Sequence, residues 1–224
     1  MGKHGRTDDT NRKELAAMVG AVIERLHADP DVQVLHDDKL LLFGVADFFS
    51  KEECERVMEM IDRTARPSPV FNVDYGKGAR TSYSGDLNAD DPFVRSLHRR
   101  MDDLLGVEER WGETMQGQRY AVGQEFKAHH DWFDTRQPYF KGEVAMGGQR
   151  AWTLMVYLND VEAGGATEFP KVQIAIPPQQ GTLIIWANAD TNGKVNMDTL
   201  HAGTPVVAGT KYVVTRWYRA RPWY

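Results

Sequence analysis

The sequence predicts a mainly β protein with helices gathered toward its N-terminal end, an α+β fold. After Trp111, short apolar and aromatic runs alternate with glycine, proline and asparagine turns, as in A-W-T-L-M-V-Y-L, T-L-I-I-W-A and K-Y-V-V-T-R-W-Y. Short strands at such close spacing are typical of a sandwich or barrel. Before Trp111, apolar residues recur mainly at helical spacing. We see no internal repeat or linker, so we expect a tip and amphipathic helix in residues 1–30 and one domain in residues 31–224.

Composition limits the classes of function. The chain has 224 residues, 42% of them hydrophobic, which is enough for one large domain with a substantial core. A formal net charge of −5 argues against a protein held on nucleic acid by phosphate contacts. The single cysteine, Cys54, excludes an intrachain disulfide and lies in a helical pattern, where a small packed residue is expected.

The sequence also lacks the usual targeting and membrane signals. The stretch M-G-K-H-G-R-T-D-D-T is polar and has no apolar signal-peptide centre. No apolar run approaches the roughly 20 residues that a membrane helix requires. We therefore expect a cytoplasmic protein that binds neither membrane nor nucleic acid.

Two helices and a hairpin are predicted first in chain order. Asn11 is the predicted cap of a helix that ends at Asp29-Pro30. Its apolar stripe, which packs on the outside of the domain or forms a dimer contact, consists of Leu15, Met18, Val19, Val22 and Leu26. V-Q-V-L and K-L-L-L-F-G-V then predict two strands joined at residues 36–38. Ser50 and Glu53 predict a capping box for the next helix, with a buried stripe of Val57, Met58 and Ile61.

A loop and a third helix follow. Residues 67–88 are rich in glycine, serine and tyrosine and predict a mobile loop flanked by short strand pieces. This loop is either a lid or a plain surface connection. Asp91-Pro92 predicts the start of a helix and Gly106 its end. One face of that helix carries Phe93, Leu97, Met101 and Leu104.

Two histidines and an aspartate predict a metal site. His129 and Asp131 stand two residues apart, and alternate residues of a strand point to one face, so both can reach the same ion. His201 supplies a second imidazole. Two neutral imidazoles and one carboxylate on one face of a metal leave the opposite positions open, which is the arrangement of non-haem Fe(II) oxygenases. His130 points away from that face, so we expect it to be structural or to line a neighbouring surface.

A lysine follows His201 on the next predicted antiparallel strand. Counting by two from Lys211 gives one face with Val213, Thr215 and Trp217, which places an ammonium group inside a largely apolar wall. An unpaired buried ammonium is costly, so a carboxylate from the protein or from a ligand should match it. The alternative is a lysine at the barrel rim that extends to solvent.

Six ordered motifs resemble the prolyl 4-hydroxylase family of 2-oxoglutarate- and Fe(II)-dependent dioxygenases. They are Y-x-x-G-Q before H-x-D at residues 120–131, G-Q-R at 148–150, Y-L-N-D-V at 157–161, G-G-x-T-x-F-P at 164–170, H-A-G-x-P-V at 201–206 and G-x-K at 209–211. In combination the set is highly specific and covers roughly residues 32–220. The resemblance implies a double-stranded β-helix (jelly-roll) core.

The resemblance also implies the site that holds iron and the co-substrate. His129, Asp131 and His201 match the family's iron ligands. Lys211 and Tyr120 match residues that bind the distal carboxylate of 2-oxoglutarate. Further residues implied to line the co-substrate pocket are Thr167, Thr153 and Tyr157.

The implied reaction is 4-hydroxylation of a peptidyl proline with release of succinate and CO₂. It uses O₂, with L-ascorbate as a reductant, and its partner is a proline-containing peptide or protein. Arg150 and Trp217 match positions near the peptide-binding groove, and Arg80 resembles a lid arginine. Residues 72–86 and 134–148 are the predicted lid segments.

Three alternatives stay open. The motifs specify the co-substrate better than the target, so the enzyme could hydroxylate another protein residue or a free small molecule. A non-catalytic jelly roll that senses oxygen or 2-oxoglutarate is a different class. A zinc hydrolase could use the same His/Asp/His set, although that chemistry has no need of Lys211.

Overall fold

The computed structural model of the chain describes residues 8–68 and 79–224. Within this part lie the helices α1 (Asp8–Ala28), α2 (Lys51–Thr64), α3 (Pro92–Leu105) and α4 (Phe140–Ala145). The first strands are β1 (Gln33–His36), β2 (Leu42–Val45), β3 (Arg66–Pro67), β4 (Tyr83–Asp86), β5 (Gln116–Tyr120), β6 (Phe126–His129) and β7 (Arg150–Tyr157). The later strands are β8 (Ala163–Gly164), β9 (Thr167–Phe169), β10 (Ile174–Ile176), β11 (Leu183–Ala187), β12 (His201–Gly203), β13 (Val206–Ala208) and β14 (Lys211–Arg219). Glu109–Trp111 and Met197–Thr199 form 3₁₀ turns.

The strands form a large and a small sheet. The large sheet has eight strands in the order β1-β2-β11-β7-β14-β5-β4-β3, and the small sheet has four in the order β10-β9-β12-β6. A separate pair joins β13 to β8. The central pairs, β11 with β7 and β7 with β14, are antiparallel. The predicted mainly β architecture with helices toward the N-terminus is confirmed.

The predicted hairpin forms at the edge of the large sheet. β1 and β2 pair antiparallel, with Gln33 opposite Gly44. The connection is longer than residues 36–38, because the second strand starts at Leu42 and not at Lys39. The imidazole Nδ1 of His36 lies 2.8 Å from the carbonyl oxygen of Leu40, and this contact closes the longer turn.

Helix α1 packs against α3 and β7 and contributes to the main core. The five side chains of its predicted stripe are all buried. The predicted cap at Asn11 is wrong, because Asn11 lies within the helix, whose described part already begins at Asp8. At the other end, the Arg25 guanidinium donates to the carbonyl oxygens of Asp103 and Leu104, which satisfies the last turn of α3. No helix in the described ranges is long and apolar enough to span a membrane.

The signals that define α2 and α3 act as predicted. Ser50 Oγ accepts from the Glu53 amide at 3.2 Å, and the Ser50 amide donates to Glu53 Oε2 at 2.8 Å, so the capping box is complete. Asp91 caps α3, and Gly106 ends it in the left-handed region at φ 68°. The buried face of α3 is rotated slightly from the predicted one, because Val94 and Leu105 are buried whereas Phe93 and Leu104 are half-buried.

A buried ion pair joins α3 to the centre of the large sheet. Arg216, on β14, is 1% exposed, and its Nη1 donates to Asp102 Oδ1 at 2.7 Å. Tyr218 donates its hydroxyl to the same oxygen at 2.7 Å. Removing either charged partner would leave the other charge buried without compensation, which is strongly destabilising. This pair therefore fixes the position of β14, the strand that also carries Lys211.

Candidate metal centre

The two predicted histidines and the aspartate come together where β6 meets β12. His129 ends β6 and His201 begins β12, and the two residues are paired across the small sheet. Asp131 Oδ1 lies 3.7 Å from His129 Nε2 and 3.8 Å from His201 Nε2. The strand stops at His129, so Asp131 reaches this point from the following turn and not from the strand itself. All three side chains are buried, and their ligand atoms lie within 4.8 Å of one another.

Backbone carbonyls set the tautomer of both histidines. His129 Nδ1 lies 2.8 Å from the carbonyl oxygen of Lys127, and His201 Nδ1 lies 2.8 Å from that of Thr199. A carbonyl oxygen can only accept, so each Nδ1 carries the proton and each Nε2 offers a free lone pair. Burial, together with the neighbouring His201, lowers the pKa of His129 to about 3, which keeps that ring neutral. Neutral imidazole is the form that binds a metal.

Aromatic rings hold the two imidazoles in place. Phe126 stacks on His129 with ring centroids 3.6 Å apart, and Trp186 meets His201 edge-on at 4.9 Å. Phe169 contacts the other side of this cluster, 5.6 Å from His201. The ligand atoms therefore converge without freedom to swing apart.

The second oxygen of Asp131 is held by a residue with a different predicted role. Thr153 was expected to line the co-substrate pocket, but its hydroxyl donates to Asp131 Oδ2 at 2.8 Å and it does not line the inner cavity. The amide of Asn188 donates in turn to Thr153 Oγ1 at 2.8 Å. Asn188 follows β11 and belongs to no motif, so sequence reasoning did not identify it.

A narrow cavity of about 50 Å³ lies behind the triad. Tyr120, Thr167 and Lys211 line it together with His129, Asp131 and His201. Lys211 is 3% exposed, so the lysine is not at a solvent rim. Its Nζ lies 5.5 Å from the ring centres of Tyr120 and of Tyr157.

The charge and hydrogen-bond balance of this inner cavity is incomplete. Burial lowers the pKa of Lys211 to about 7, and no carboxylate of the described residues forms an ion pair with it. The hydroxyl of Thr167 is buried beside Tyr157 and makes no hydrogen bond of ordinary geometry with those residues. Tyr157, in contrast, is satisfied: its hydroxyl donates to the carbonyl oxygen of Ile176 at 3.1 Å, and only its ring faces Lys211. An anionic ligand would complete both open groups.

A groove of about 540 Å³ opens on the other side of the triad. Its walls carry the aromatic side chains of Phe126, Trp132, Phe133, Tyr139, Trp217 and Trp223. The guanidinium of Arg150 lies 4.0 Å from the ring centre of Trp217 and 4.8 Å from that of Phe133. The predicted groove residues Arg150 and Trp217 are thus neighbours in one wall.

Two unpredicted residues extend this wall: Glu113, which neutralises Arg150, and Arg219, which shares that glutamate. Glu113 accepts from Arg150 at 2.7 and 2.8 Å and also binds Arg219, which is 3% exposed. Arg219 reaches Glu143 on α4 at 2.8 Å. The predicted lid segment 134–148 therefore contains a short helix that an ion pair fastens to β14.

Arg80 lies at the junction of the two cavities and lines both. It donates to the hydroxyls of Ser82 and Ser84 at 3.0 Å and covers the ring of Phe126 at 4.9 Å. Of the other predicted lid segment, residues 72–78 lie outside the described residues. His130 turns away from the triad: its ring meets Trp132 at 4.7 Å, and its Nε2 lies 3.2 Å from the carbonyl oxygen of Met197.

The residues present fit Fe(II) and a dicarboxylate co-substrate. Two Nε2 lone pairs and one carboxylate oxygen suit a divalent first-row metal. The buried ammonium of Lys211 and the open hydroxyl of Thr167 suit a carboxylate at the far end of the inner cavity. Because the ligands converge between the inner cavity and the outer groove, a metal there would face both.

Comparison with known proteins places this geometry in context. The family model described as the 2OG-Fe(II) oxygenase superfamily matches residues 115–219. Prolyl 4-hydroxylase subunit alpha-1 of Gallus gallus is 31% identical over 189 residues, which cover 82% of this chain and 36% of that protein. Subunit alpha-2 of Gallus gallus is 33% identical over 180 residues, which cover 78% of this chain and 33% of that protein. The chain thus spans about a third of the length of these curated relatives.

Solved structures give the same answer for the fold. The viral collagen prolyl hydroxylase of Paramecium Bursaria Chlorella virus-1, in a 2OG complex, has a TM-score of 0.63 and 26% identity, and the match covers 80% of this chain and 95% of that one. A Pseudomonas putida prolyl-4-hydroxylase has a TM-score of 0.58 and 18% identity and covers 90% of this chain and 99% of its own; this likeness supports the fold alone.

Proposed function

Because the chain belongs to the 2-oxoglutarate- and Fe(II)-dependent oxygenases and is prolyl 4-hydroxylase-like, we propose that it hydroxylates C4 of a proline in a peptide, with release of succinate and CO₂. The observation that carries this proposal is the position of the triad between a narrow cationic cavity and a wide aromatic groove. The first suits the co-substrate and the second suits a polypeptide.

We propose that the two main sheets form the double-stranded β-helix of these enzymes. β6 and β12 of the small sheet carry His129 and His201, while β5 and β14 of the large sheet carry Tyr120 and Lys211. A sandwich of this kind encloses a site between its sheets and opens it at one end. The arrangement places the two histidine ligands on the small sheet and Tyr120 and Lys211 on the large sheet, with Thr167 facing them from β9 of the small sheet.

His129 Nε2, Asp131 Oδ1 and His201 Nε2 would hold Fe(II), and the inner cavity would hold 2-oxoglutarate. When bound, Fe(II) with 2-oxoglutarate and O₂ supplies oxidising power that no side chain has. Lys211 would donate to the distal carboxylate from its buried ammonium, and Tyr120 and Thr167, which line the same cavity, would complete its surroundings. A charge-assisted contact of this kind is stronger than a neutral hydrogen bond, and it orients the co-substrate.

The protein's own contribution to the reaction is to position the proline and to exclude water. Trp217 lines both cavities, so its indole borders the path from the groove to the triad. Arg150 is fixed by Glu113 and by Trp217, and it can hold a peptide carbonyl without moving. Aromatic walls remove water from a bound peptide, which protects the reaction from side processes.

The proposal is tested by succinate formation with a proline-rich peptide. The Fe(II)-loaded protein, under air with 2-oxoglutarate, should form succinate faster when the peptide is present. The peptide should gain the mass of one oxygen atom on proline. A peptide of the same sequence with alanine in place of proline is the matched control. Turnover that no peptide stimulates would keep an oxygenase but overturn the peptidyl-proline substrate.

The outer groove favours a polypeptide over a small metabolite. Its volume is about 540 Å³ against about 50 Å³ for the inner cavity, so it has room for a proline together with flanking residues, and its aromatic walls suit the proline ring. L-ascorbate as reductant and a cytoplasmic location are further parts of the proposal, and they rest on the sequence alone.

Charge in the groove predicts a preference among peptides. Among described residues, the other acids lining the groove, Glu113, Glu143 and Asp131, face arginines or the triad histidines. Asp86 lines the same groove, is exposed, and forms no ion pair with a described residue. We therefore expect peptides with a lysine or arginine near the proline to have a lower KM than their neutral counterparts.

A charge reversal checks this preference. Asp86→Lys should raise KM for a basic peptide by about tenfold, since one screened charge contact becomes repulsive. It should also lower KM for the same peptide with glutamate in place of lysine. Asp90→Lys, a reversal at an exposed site outside the groove, is the control. Equal KM values for both peptides with Asp86→Lys would exclude a role for Asp86 in substrate choice.

A further inference from the structure

Asp131 Oδ2, the carboxylate oxygen that does not face the two histidines, is held by a series of hydrogen bonds between buried side chains. Thr153 and Asn188 are both fully buried, one on β7 and the other just after β11. They belong to adjacent strands, since Trp186 is the pairing partner of Thr153. Their contacts form a chain in which Asn188 Nδ2 lies 2.8 Å from Thr153 Oγ1, and Thr153 Oγ1 lies 2.8 Å from Asp131 Oδ2.

The number of protons on each group determines which group donates in each of these two hydrogen bonds. A hydroxyl has one proton, and an ionised carboxylate can only accept. Thr153 must therefore donate to Asp131, which leaves only its lone pairs for Asn188. The amide of Asn188 must then present its NH₂ group to Thr153. The chain can run in one sense alone, from Asn188 to Thr153 to Asp131.

These two hydrogen bonds determine which oxygen of Asp131 faces the metal position. Oδ2 is occupied by the Thr153 hydroxyl, while Oδ1 faces His129 Nε2 and His201 Nε2 at 3.7 and 3.8 Å. A free carboxylate can offer a metal one oxygen or two. Here the hydrogen bond from Thr153 to Oδ2 fixes the rotation of the carboxylate, so Oδ1 is the oxygen that is presented to the metal position.

Asn188 also connects Asp131 to the other side of the site. The backbone carbonyl oxygen of Asn188 accepts from the backbone amide of Asn196 at 2.9 Å. Asn196 caps the 3₁₀ turn Met197–Thr199 by accepting from the Asp198 amide at 2.9 Å. Thr199 then supplies the carbonyl oxygen that fixes the tautomer of His201. The side chain of Asn188 thus supports Asp131 through Thr153, while its backbone, which a substitution would leave in place, connects to the turn that supports His201.

We propose that Thr153 and Asn188 are positioning residues that keep Asp131 a one-oxygen metal ligand, and so keep a coordination position open for the reaction. The inference rests on the metal centre of the proposed function, but not on its peptide substrate. Loss of the Thr153 hydroxyl removes the hydrogen bond that holds Oδ2, so the carboxylate can rotate and Oδ1 no longer stays directed at the metal position. Hydrogen-bond partners of this type typically contribute 10- to 100-fold to metal affinity.

Co(II) is the probe, because its visible absorption reports the number and type of ligands. Co(II) should bind Thr153→Val about 10- to 100-fold more weakly than the unaltered protein, with a changed absorption spectrum. Thr153→Ser, which restores the hydroxyl, should recover affinity and spectrum. Thr182→Val makes the same chemical change at a threonine whose hydroxyl has no partner among the described residues, and it should leave Co(II) binding unchanged.

The two residues should act as one unit. Asn188→Ala should weaken Co(II) binding less than Thr153→Val, and the double variant should be no worse than Thr153→Val alone, because Asn188 acts through the threonine hydroxyl. Unchanged Co(II) affinity and spectrum in a folded Thr153→Val protein would overturn the proposal. So would a loss in the double variant equal to the sum of the single losses. None of these measurements uses peptide or turnover, so their failure is distinct from failure of the proposed prolyl hydroxylation.

Discussion

Replacing Asp131 with alanine should abolish succinate formation, both with and without peptide. The residue supplies the only carboxylate of the His129–Asp131–His201 cluster. Without it, two neutral imidazoles face a divalent cation with no compensating charge, and the cation must be held by water or lost. The buried Thr153 hydroxyl also loses its acceptor. Succinate release and Co(II) titration on the same preparation measure the two consequences separately.

A matched aspartate shows that the effect belongs to the site. Asp103 is exposed on α3, so Asp103→Ala removes the same atoms far from the triad and should retain full turnover. Asp131→Glu keeps the charge but lengthens the side chain, and it should bind Co(II) while losing most of the activity. Unimpaired succinate formation by a folded Asp131→Ala protein would rule out the assignment of the metal ligands.

Replacing Lys211 with methionine should mainly weaken the use of 2-oxoglutarate. Methionine keeps much of the volume of the lysine stem but removes the ammonium from the inner cavity, where Lys211 is 3% exposed. A buried charge pair that loses one partner costs about 2–5 kcal/mol, so KM for 2-oxoglutarate should rise by about 30-fold or more. Steady-state kinetics at several co-substrate concentrations would detect this. An unchanged KM would contradict the role of Lys211.

The same lysine predicts how pH affects co-substrate binding. Burial lowers the pKa of Lys211 to about 7 in the protein without ligand, whereas the distal carboxylate pairs with the charged form. Binding therefore requires a proton above this pH, and the dissociation constant of 2-oxoglutarate should rise about tenfold per pH unit above 7. Calorimetric titration of the Co(II)-loaded protein at successive pH values measures this slope.

Lys211→Met should also stabilise the protein when no ligand is bound. Between a folded pKa of about 7 and the ordinary pKa of lysine, the unfolded chain binds more protons than the folded protein. The stability of the unaltered protein should therefore rise with pH across this interval, and the variant should lose that dependence. Each 1 kcal/mol gained would raise Tm by about 2–4 °C in a chain of this size. Lys13→Met, at an exposed position on α1, is the control and should change neither Tm nor its pH dependence.

Features of the site that depend only on residues close together in the sequence could be predicted from it. The spacing of His129 and Asp131, the apolar face around Lys211, and the caps of α2 and α3 are each contained in a short stretch of chain. The burial of Lys211 agrees with the strand alternation that predicted it. The co-substrate could be predicted from such local patterns, because each of the motifs that indicate it lies on a single strand or turn.

Features that depend on contacts between distant segments could not be predicted. Thr153 lies on the same strand face as Tyr157, and period-two alternation cannot decide whether its hydroxyl meets a cavity or the Asp131 carboxylate. Asn188 and Glu113 have no motif, and their partners lie on other strands. Pairing of Arg150 and Arg219 with one glutamate required knowledge of which strands are neighbours. These are also the residues that set the precise shape of the site.

The burial of α1 has a consequence for which part of the chain can fold by itself. Five apolar side chains of this helix enter the main core, and each is worth about 1.5–3 kcal/mol on burial. Their sum, about 7–15 kcal/mol, is as large as the whole stability of an ordinary domain. The family match begins only at residue 115. The core formed by its strands is nevertheless completed by side chains of α1, near the start of the chain. The smallest autonomous folding unit is therefore larger than the catalytic signature, and a shortened chain that keeps every motif but lacks α1 would lose the scaffold that holds them together.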